Sequence, residues 1–386
     1  MRANKKTFHL IYLLNFLLAL AWALPAYIES AYLQATAGSR AVAVFLSAAT
    51  LVTAVVVFFY PRLIRRVSNY RAMVPVLLAN FVLLSALAFA THAGTIFFVF
   101  IAYYATGTLL GINIDVFLED ISDDEHTGRI RTNLLMVANI SWVLAPLLMG
   151  LLADGERYRL VFMAAATALV PALLLLMLQR RSMRDRFAYR SRHFHQLLAA
   201  VWRDPNLVKI FTLALVLRFF YFIMVLYIPL HLHNELGFSW GTIGWILTVM
   251  LLPFLLLQLP AGRIADRFLG EKEIMVAGLL TMVVFTGLIF FTRATSPVVW
   301  AAVLFMTRVG AALVEAMQEV YFFKHVNRRD IDLINLFRDL GPVGWLGASL
   351  FSLAVLSFFP IPYLFLFLAV ILIAALRPAL TLVDTK

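Results

Sequence analysis

The chain has 386 residues, 63% hydrophobic and 14% charged, with a formal net charge of +11. A water-soluble fold cannot hide that much apolar surface, so lipid must be the solvent for most of the chain. The basic excess marks loops on one side of a membrane rather than a nucleic-acid site, and the absence of cysteine excludes disulfides and thiolate metal sites.

Hydrophobic runs fall at 8–33, 39–60, 72–91, 95–118, 132–153 and 158–179. After a polar linker they resume at 207–231, 239–261, 273–292, 297–322, 333–358 and 361–378. At ~1.5 Å rise per residue, runs of this length cross a ~30 Å hydrocarbon core. Twelve transmembrane helices are therefore predicted. The N-terminus, MRANKK followed by an apolar run, imitates a secretory signal peptide, but the run continues past Ala21 to Leu33. That is too long for a signal h-region and predicts an uncleaved first span. The 33 Phe and 13 Tyr are expected between helices, at the membrane interfaces and along any cavity.

Orientation follows from the basic residues. Of the 32 Lys and Arg, twenty-five lie on the side of the N-terminus, and only Arg40, Arg157, Arg159 and Arg293 lie on the other. The positive-inside rule places both termini in the cytoplasm. A bacterial inner membrane is the expected location. The linker from Arg180 to Asn206 is basic and ends in an amphipathic stretch, HFHQLLAAVWRDPNL. Anionic headgroups attract such segments at ~1 kcal/mol per basic residue, so lipid-surface contact is favoured over nucleic-acid binding. His193 and His195 are two residues apart, wrong for one helical face, and are not read as a metal site.

The eighth span ends in a tight charged turn within Trp240–Lys272: Gly262-Arg263-Ile264-Ala265-Asp266-Arg267, then Gly270 and Lys272. Glycine permits the backbone reversal, and the Asp can hold the neighbouring Arg side chains. The chain also repeats itself. Tyr60-Pro61-Arg62-Leu63-Ile64-Arg65-Arg66 precedes Ala261–Arg267 by 201 residues, Asn133-Leu134 precedes Asn335-Leu336 by 202, and Pro25 precedes Pro229 by 204. A nearly constant offset is the signature of duplicated six-helix halves.

The charged turn resembles the loop motif of the major facilitator superfamily, in which Gly, Asp, Arg, Gly and a basic residue follow a transmembrane helix. Leu269 adds one residue before the second Gly. The two halves resemble the two bundles of that fold, and the likeness covers essentially the whole chain. Ala145-Pro146 followed by Gly150 is similar to the Gly-Pro motif of the superfamily's exporters, with Ala145 in place of Gly. Bending and close helix packing are the alternative role for these residues and for Gly341-Pro342-Val343-Gly344 and Gly347.

The resemblance implies an all-α integral membrane protein with twelve transmembrane helices in two six-helix bundles, 1–179 and 207–386, joined by a cytoplasmic linker, 180–206. It implies a secondary transporter that moves a small organic solute by alternating access around a midplane site. It assigns a gate to Gly262, Arg263, Asp266, Arg267, Gly270 and Lys272, with Asp266 facing Arg129 or Arg131 at the start of span 5. The repeat mate of Asp266 is Arg65, a reversal of sign that calls for Asp330, Asp332 or Asp339 near the start of span 11, beside Arg338.

A charge near the bilayer centre costs at least ~2.5–3.5 kcal/mol, so each one needs a partner or a task. Asp115 lies on span 4, Arg218 on span 7, Arg308, Glu315 and Glu319 on span 10, and Arg338 and Asp339 on span 11. Arg308, Ala312, Glu315 and Glu319 are spaced to share one helical face. Glu315, Glu319, Asp115 and Asp339 are candidates for carrying a coupling proton. The alternative is that they pair with arginines and stitch helices together, which Glu319 and Asp115 favour by lying near the surface. In the superfamily, spans 1, 4, 7 and 10 line the cavity, which makes Arg218, Arg308, Tyr221, Tyr103, Tyr104 and Trp22 the candidate substrate contacts. Two arginines favour a carboxylate or phosphate, whereas the Pro146 region points toward lipophilic cations.

No G-x-x-x-x-G-K-[ST], HExxH or GxSxG pattern occurs, and His is expected to be absent from helix interiors. An enzyme is therefore not expected, and no cofactor or metal is assigned. The expected partners are a small-molecule substrate, H⁺ as coupling ion and anionic lipid, with the chain a monomer. A lipid flippase or scramblase on the same fold, or a non-transporting sensor, is the alternative.

Overall fold

The computed structural model describes residues 5–121, 127–178, 194–257, 260, 270–326, 333, 336–337 and 340–383. Every regular element among them is helical. The first seven helices are α1 (Lys5–Ala26), α2 (Glu29–Ala37), α3 (Ser39–Val67), α4 (Asn69–Phe89), α5 (Ala93–Ile121), α6 (Thr127–Ala153) and α7 (Tyr158–Leu178). After them come α8 (Phe194–Arg203), α9 (Pro205–Asn234), α10 (Trp240–Leu256), α11 (Glu271–Phe291), α12 (Pro297–His325), α13 (Leu340–Leu356) and α14 (Pro362–Leu380). Ten of these are long and apolar enough to span a membrane, and the shorter apolar helices α10 and α13 supply the other two of twelve.

The helix starts have local causes. Asp204 caps α9, accepting from the N–H groups of Asn206 (2.8 Å) and Leu207 (3.3 Å), and Pro205 follows with no N–H to satisfy. Pro297 and Pro362 open α12 and α14 in the same way. Ser68, at φ 83°, separates α3 from α4 and accepts from the Arg71 N–H at 3.4 Å.

The first apolar run differs from its prediction. It forms two helices, because after Pro25 the chain tightens into a turn closed by Ile28 N–H to the Pro25 carbonyl at 2.8 Å. The repeat mate Pro229, by contrast, sits inside an unbroken α9. That helix extends to Asn234 and encloses His231, which was expected at a helix end. His231 is 2% exposed, pairs with Glu235 at 3.2 Å and packs against Trp300 and Phe365.

The described chain divides into two compact units. The first comprises residues within Met1–Tyr189 together with Gly237–Trp245, and the second residues within Arg190–Leu236 and Ile246–Lys386. In the first, α1 packs along α6 and α7, α4 along α5 and α7, and α3 along α5. Polar side chains join these apolar helices. Asn15 donates to the Leu134 carbonyl (3.0 Å), Ser141 to the Phe16 carbonyl (3.0 Å), and Tyr60, Asn113 and Asn69 form a buried network. In a lipid solvent such bonds hold helices that apolar contact alone would not select. The outward faces carry Leu51, Val55, Phe58, Phe59 and Leu63 of α3 exposed, as lipid requires. In the second unit α11 packs along α12 and α14, and α9 along α13, α14 and α12.

Candidate functional site

The second unit brings together Arg218, Arg308, Glu315 and Glu319. Arg308 on α12 is only 1% exposed, and its guanidinium lies over the rings of Phe220 (5.2 Å) and Tyr221 (5.4 Å) on α9. A cation over an aromatic face is stabilised electrostatically, most when desolvated. One helical turn before Tyr221, Arg218 reaches Glu315 of α12, with Nη1 and Oε1 4.0 Å apart. That is looser than a charge-assisted hydrogen bond of ~2.7–2.9 Å. Both side chains are half-buried, and Glu319 follows one turn along the same face. The sequence-predicted set Arg218, Tyr221, Arg308 and Glu315 is therefore assembled by two adjacent helices.

Glycines set how close the supporting helices come. A Cβ at Gly344 of α13 would lie 2.7 Å from Cβ of Arg218. Gly310, two residues past Arg308, faces Gly278 of α11, where a Cβ would come within 2.5 Å of the Gly278 carbonyl. Only glycine permits backbone approach of this kind.

The first unit gathers the aromatic candidates. Trp22 of α1 lies 5.6 Å from Tyr103 and 5.3 Å from Tyr104 of α5, ring centre to ring centre. Its indole is seated on Gly107, where a Cβ would fall 1.9 Å from the ring. Asn80 of α4 donates to the Tyr103 carbonyl (3.2 Å) and to the Thr106 hydroxyl (2.9 Å), fixing α5 at this level. The Tyr103 hydroxyl donates to Glu29 Oε1 at 2.9 Å. Sequence reasoning passed over Glu29. It is nevertheless the only Asp, Glu, Lys or Arg between Phe8 and Leu33, a signal that could have found it.

Other predicted residues are dispersed. Asp115 is half-buried on α5 and Arg65 is exposed near the end of α3. Gly270 precedes α11 in extended conformation, and Lys272 lies half-buried in its first turn. Between them Glu271 is fully buried and pairs with Lys324 at the end of α12. Gly262, Arg263, Asp266, Arg267, Asp330, Asp332, Arg338 and Asp339 lie outside the described residues, as do the side chains of Arg129 and Arg131. Gly150, in the exporter-like stretch, serves close packing. A Cβ there would meet the Trp240 carbonyl at 2.7 Å, and one at Gly244 would meet the Pro146 carbonyl at 2.6 Å.

At the same end of α12, His325 Nε2 and Asp204 Oδ2 are 2.7 Å apart. Burial alone would push the Asp204 carboxyl up. Hydrogen bonds with His325 and from the Asn206 and Leu207 N–H groups outweigh it and hold the carboxyl below the usual range. Among the described residues no three His, Cys, Asp or Glu side chains are grouped to hold a metal ion.

The sequence model of the Major Facilitator Superfamily matches residues 11–243 and 230–385. A comparison with curated proteins finds no match. Among solved structures, the crystal structure of the nucleoside transporter NupG is similar, with a TM-score of 0.71 at 14% identity, covering 97% of this chain and 98% of that one.

Proposed function

The chain belongs to the Major Facilitator Superfamily, and from that premise we propose that it moves a small organic anion across the membrane by alternating access, coupled to protons. Its family and its many apolar helices make it an integral membrane protein and a transporter rather than an enzyme. Likeness to a nucleoside transporter at 14% identity speaks to the fold, so the substrate class is argued from the chain's own residues.

One observation carries the reading: Arg308, Arg218 and Glu315 gathered on α9 and α12 with Tyr221 between. Two guanidinium groups suit a carboxylate or phosphate, which they can bind through paired hydrogen bonds. The loose Arg218–Glu315 pair supports an exchange of partners. An arriving anion takes Arg218, Glu315 loses its counter-charge, and a proton then neutralises the carboxylate. Movement of the proton and the anion on opposite or common strokes makes the chain an antiporter or a symporter. The halves 1–179 and 207–386 would rock about the site, with 180–206 as linker and both termini in the cytoplasm of a bacterium, as the basic loops argue. The basic linker contacts anionic headgroups, and the transporter works as a monomer.

Binding separates this from the cationic alternative. Small mono- and dicarboxylates should raise the melting temperature of purified protein, and Arg308→Gln should abolish the rise. Stabilisation by cationic dyes that survives Arg218→Ala, with no response to organic anions, overturns the assignment.

A further inference from the structure

Glu29 is a buried carboxylate that the charged site of α9 and α12 does not use. It opens α2, is 2% exposed, and accepts a 2.9 Å hydrogen bond from the Tyr103 hydroxyl, a neutral donor. Tyr103 and Tyr104 of α5 are the titratable groups that face it. Among the described residues it forms no ion pair with Lys, Arg or His. Of the charges on neighbouring helices, Lys5 and Lys6 start α1, Arg62, Arg65 and Arg66 end α3, and Asp115 lies twelve residues past Tyr103 on α5, while Arg159 of α7, beside the Tyr158 that packs on Tyr32 of α2, lays its guanidinium over Phe89 at 4.0 Å. The side chain of Arg40 is outside the described residues.

A bare carboxylate without a counter-charge is costly in such surroundings, and taking up a proton is the ordinary remedy. The backbone around Glu29 suits a group that must also reach water. Helix α2 is a nine-residue segment set between two breaks, the Tyr27–Ile28 turn and Gly38 at φ 85°. A Cβ at Gly38 would meet nothing within 4 Å, so the second break is uncrowded. A swing at these two breaks would release the Tyr32 hydroxyl from the Leu87 carbonyl (2.8 Å) and shift α2 along α3, which defines a second state of the segment.

We propose that Glu29 is a second proton-carrying residue, protonated while buried against Tyr103 and exchanging its proton with water when α2 swings away from α5. The proton comes from water and returns to it, and no other bond is made or broken. Through Tyr103 the protonation state is tied to the ring that packs against Trp22, 5.6 Å away centre to centre. This rests on the proposed proton-linked transport only for what the proton accomplishes. The proton itself is detectable without transport.

Infrared difference spectroscopy of the purified full chain, titrated from acid to alkaline pH, reads protonated carboxyl groups through their C=O band. The wild type should show such a band at neutral pH. Glu29→Gln should remove it, Tyr103→Phe should shift its frequency by deleting the hydrogen bond, and Glu315→Gln should retain it. A neutral-pH band that survives Glu29→Gln unchanged, or no band in the wild type, overturns the proposal. Should Glu29→Gln not fold, the Tyr103→Phe shift decides the matter, an unshifted band being contrary. A protein that shows the Glu29 band but moves no solute supports this assignment and contradicts transport instead.

Discussion

Gly344 and Arg218 are in backbone-level contact: a methyl group at position 344 would stand 2.7 Å from the Cβ of the arginine. The absence of a side chain on α13 therefore decides where α9 presents its guanidinium to Glu315. The same α13 turn comes within 3.4 Å of the Leu215 carbonyl by that measure, so neither helix can yield by moving a flexible side chain alone.

Gly344→Ala should therefore shift α9 as well as strain it. Overpacking of this kind costs ~1–3 kcal/mol, visible as a lower melting temperature, and anion-induced stabilisation should fall with it. Gly347→Ala is the matched control, because its Cβ would meet only Phe219 Cδ2 at an ordinary 4.0 Å. Equal effects from the two substitutions would show that the Arg218 contact does not matter.

Glu315→Gln tests coupling. The amide keeps the shape but cannot release a proton, so accumulation driven by a pH gradient should be lost while substrate exchange persists. A variant that still concentrates substrate leaves Glu315 a structural partner of Arg218.

On the aromatic side, Gly107→Ala should displace Trp22, since the added carbon would fall 1.9 Å from the indole. A change in tryptophan fluorescence and weaker substrate binding are expected. Gly111→Ala, one turn along α5 with nothing within 4 Å, should change neither. A fluorescence change of equal size in both would refute the seating of Trp22 on Gly107.

Asp204 gives a pH dependence whose sign is fixed. Its folded pKa lies below the usual carboxylate range, chiefly because hydrogen bonds outweigh burial. The stabilisation is complete above the unfolded pKa and disappears as pH falls through the lowered folded value. Wild-type melting temperature should therefore drop across that acid window. Asp204→Asn keeps a capping side chain but not the charge, and its melting curve should be flatter there. Parallel acid limbs in the two proteins would exclude Asp204 as a contributor.

Twelve apolar runs, a repeat offset near 200 and a charged loop made the fold legible in the sequence, because span length and basic bias depend only on local composition. The common face of Arg308, Glu315 and Glu319 was legible for the same reason, since helical spacing is periodic. What depends on packing was not. Nothing in the local pattern says that Arg218 meets Glu315 at 4.0 Å, that Gly107 seats Trp22, or that Pro25 ends a helix while Pro229 does not. Glu29 stands alone in its apolar run, with no second charge spaced to share its helical face. Its importance follows from burial and from a hydrogen bond across 74 residues of sequence.

The central claim, gradient-driven movement of an organic anion through the Arg308 site, is tested most directly in proteoliposomes holding purified protein. Labelled carboxylates are offered with and without an imposed pH gradient, and labelled lipid is followed in the same vesicles. The account predicts accumulation above equilibrium only with the gradient, lost in Arg308→Gln, with lipid asymmetry preserved. Vesicles that move no anion under any gradient but scramble the labelled lipid would contradict it.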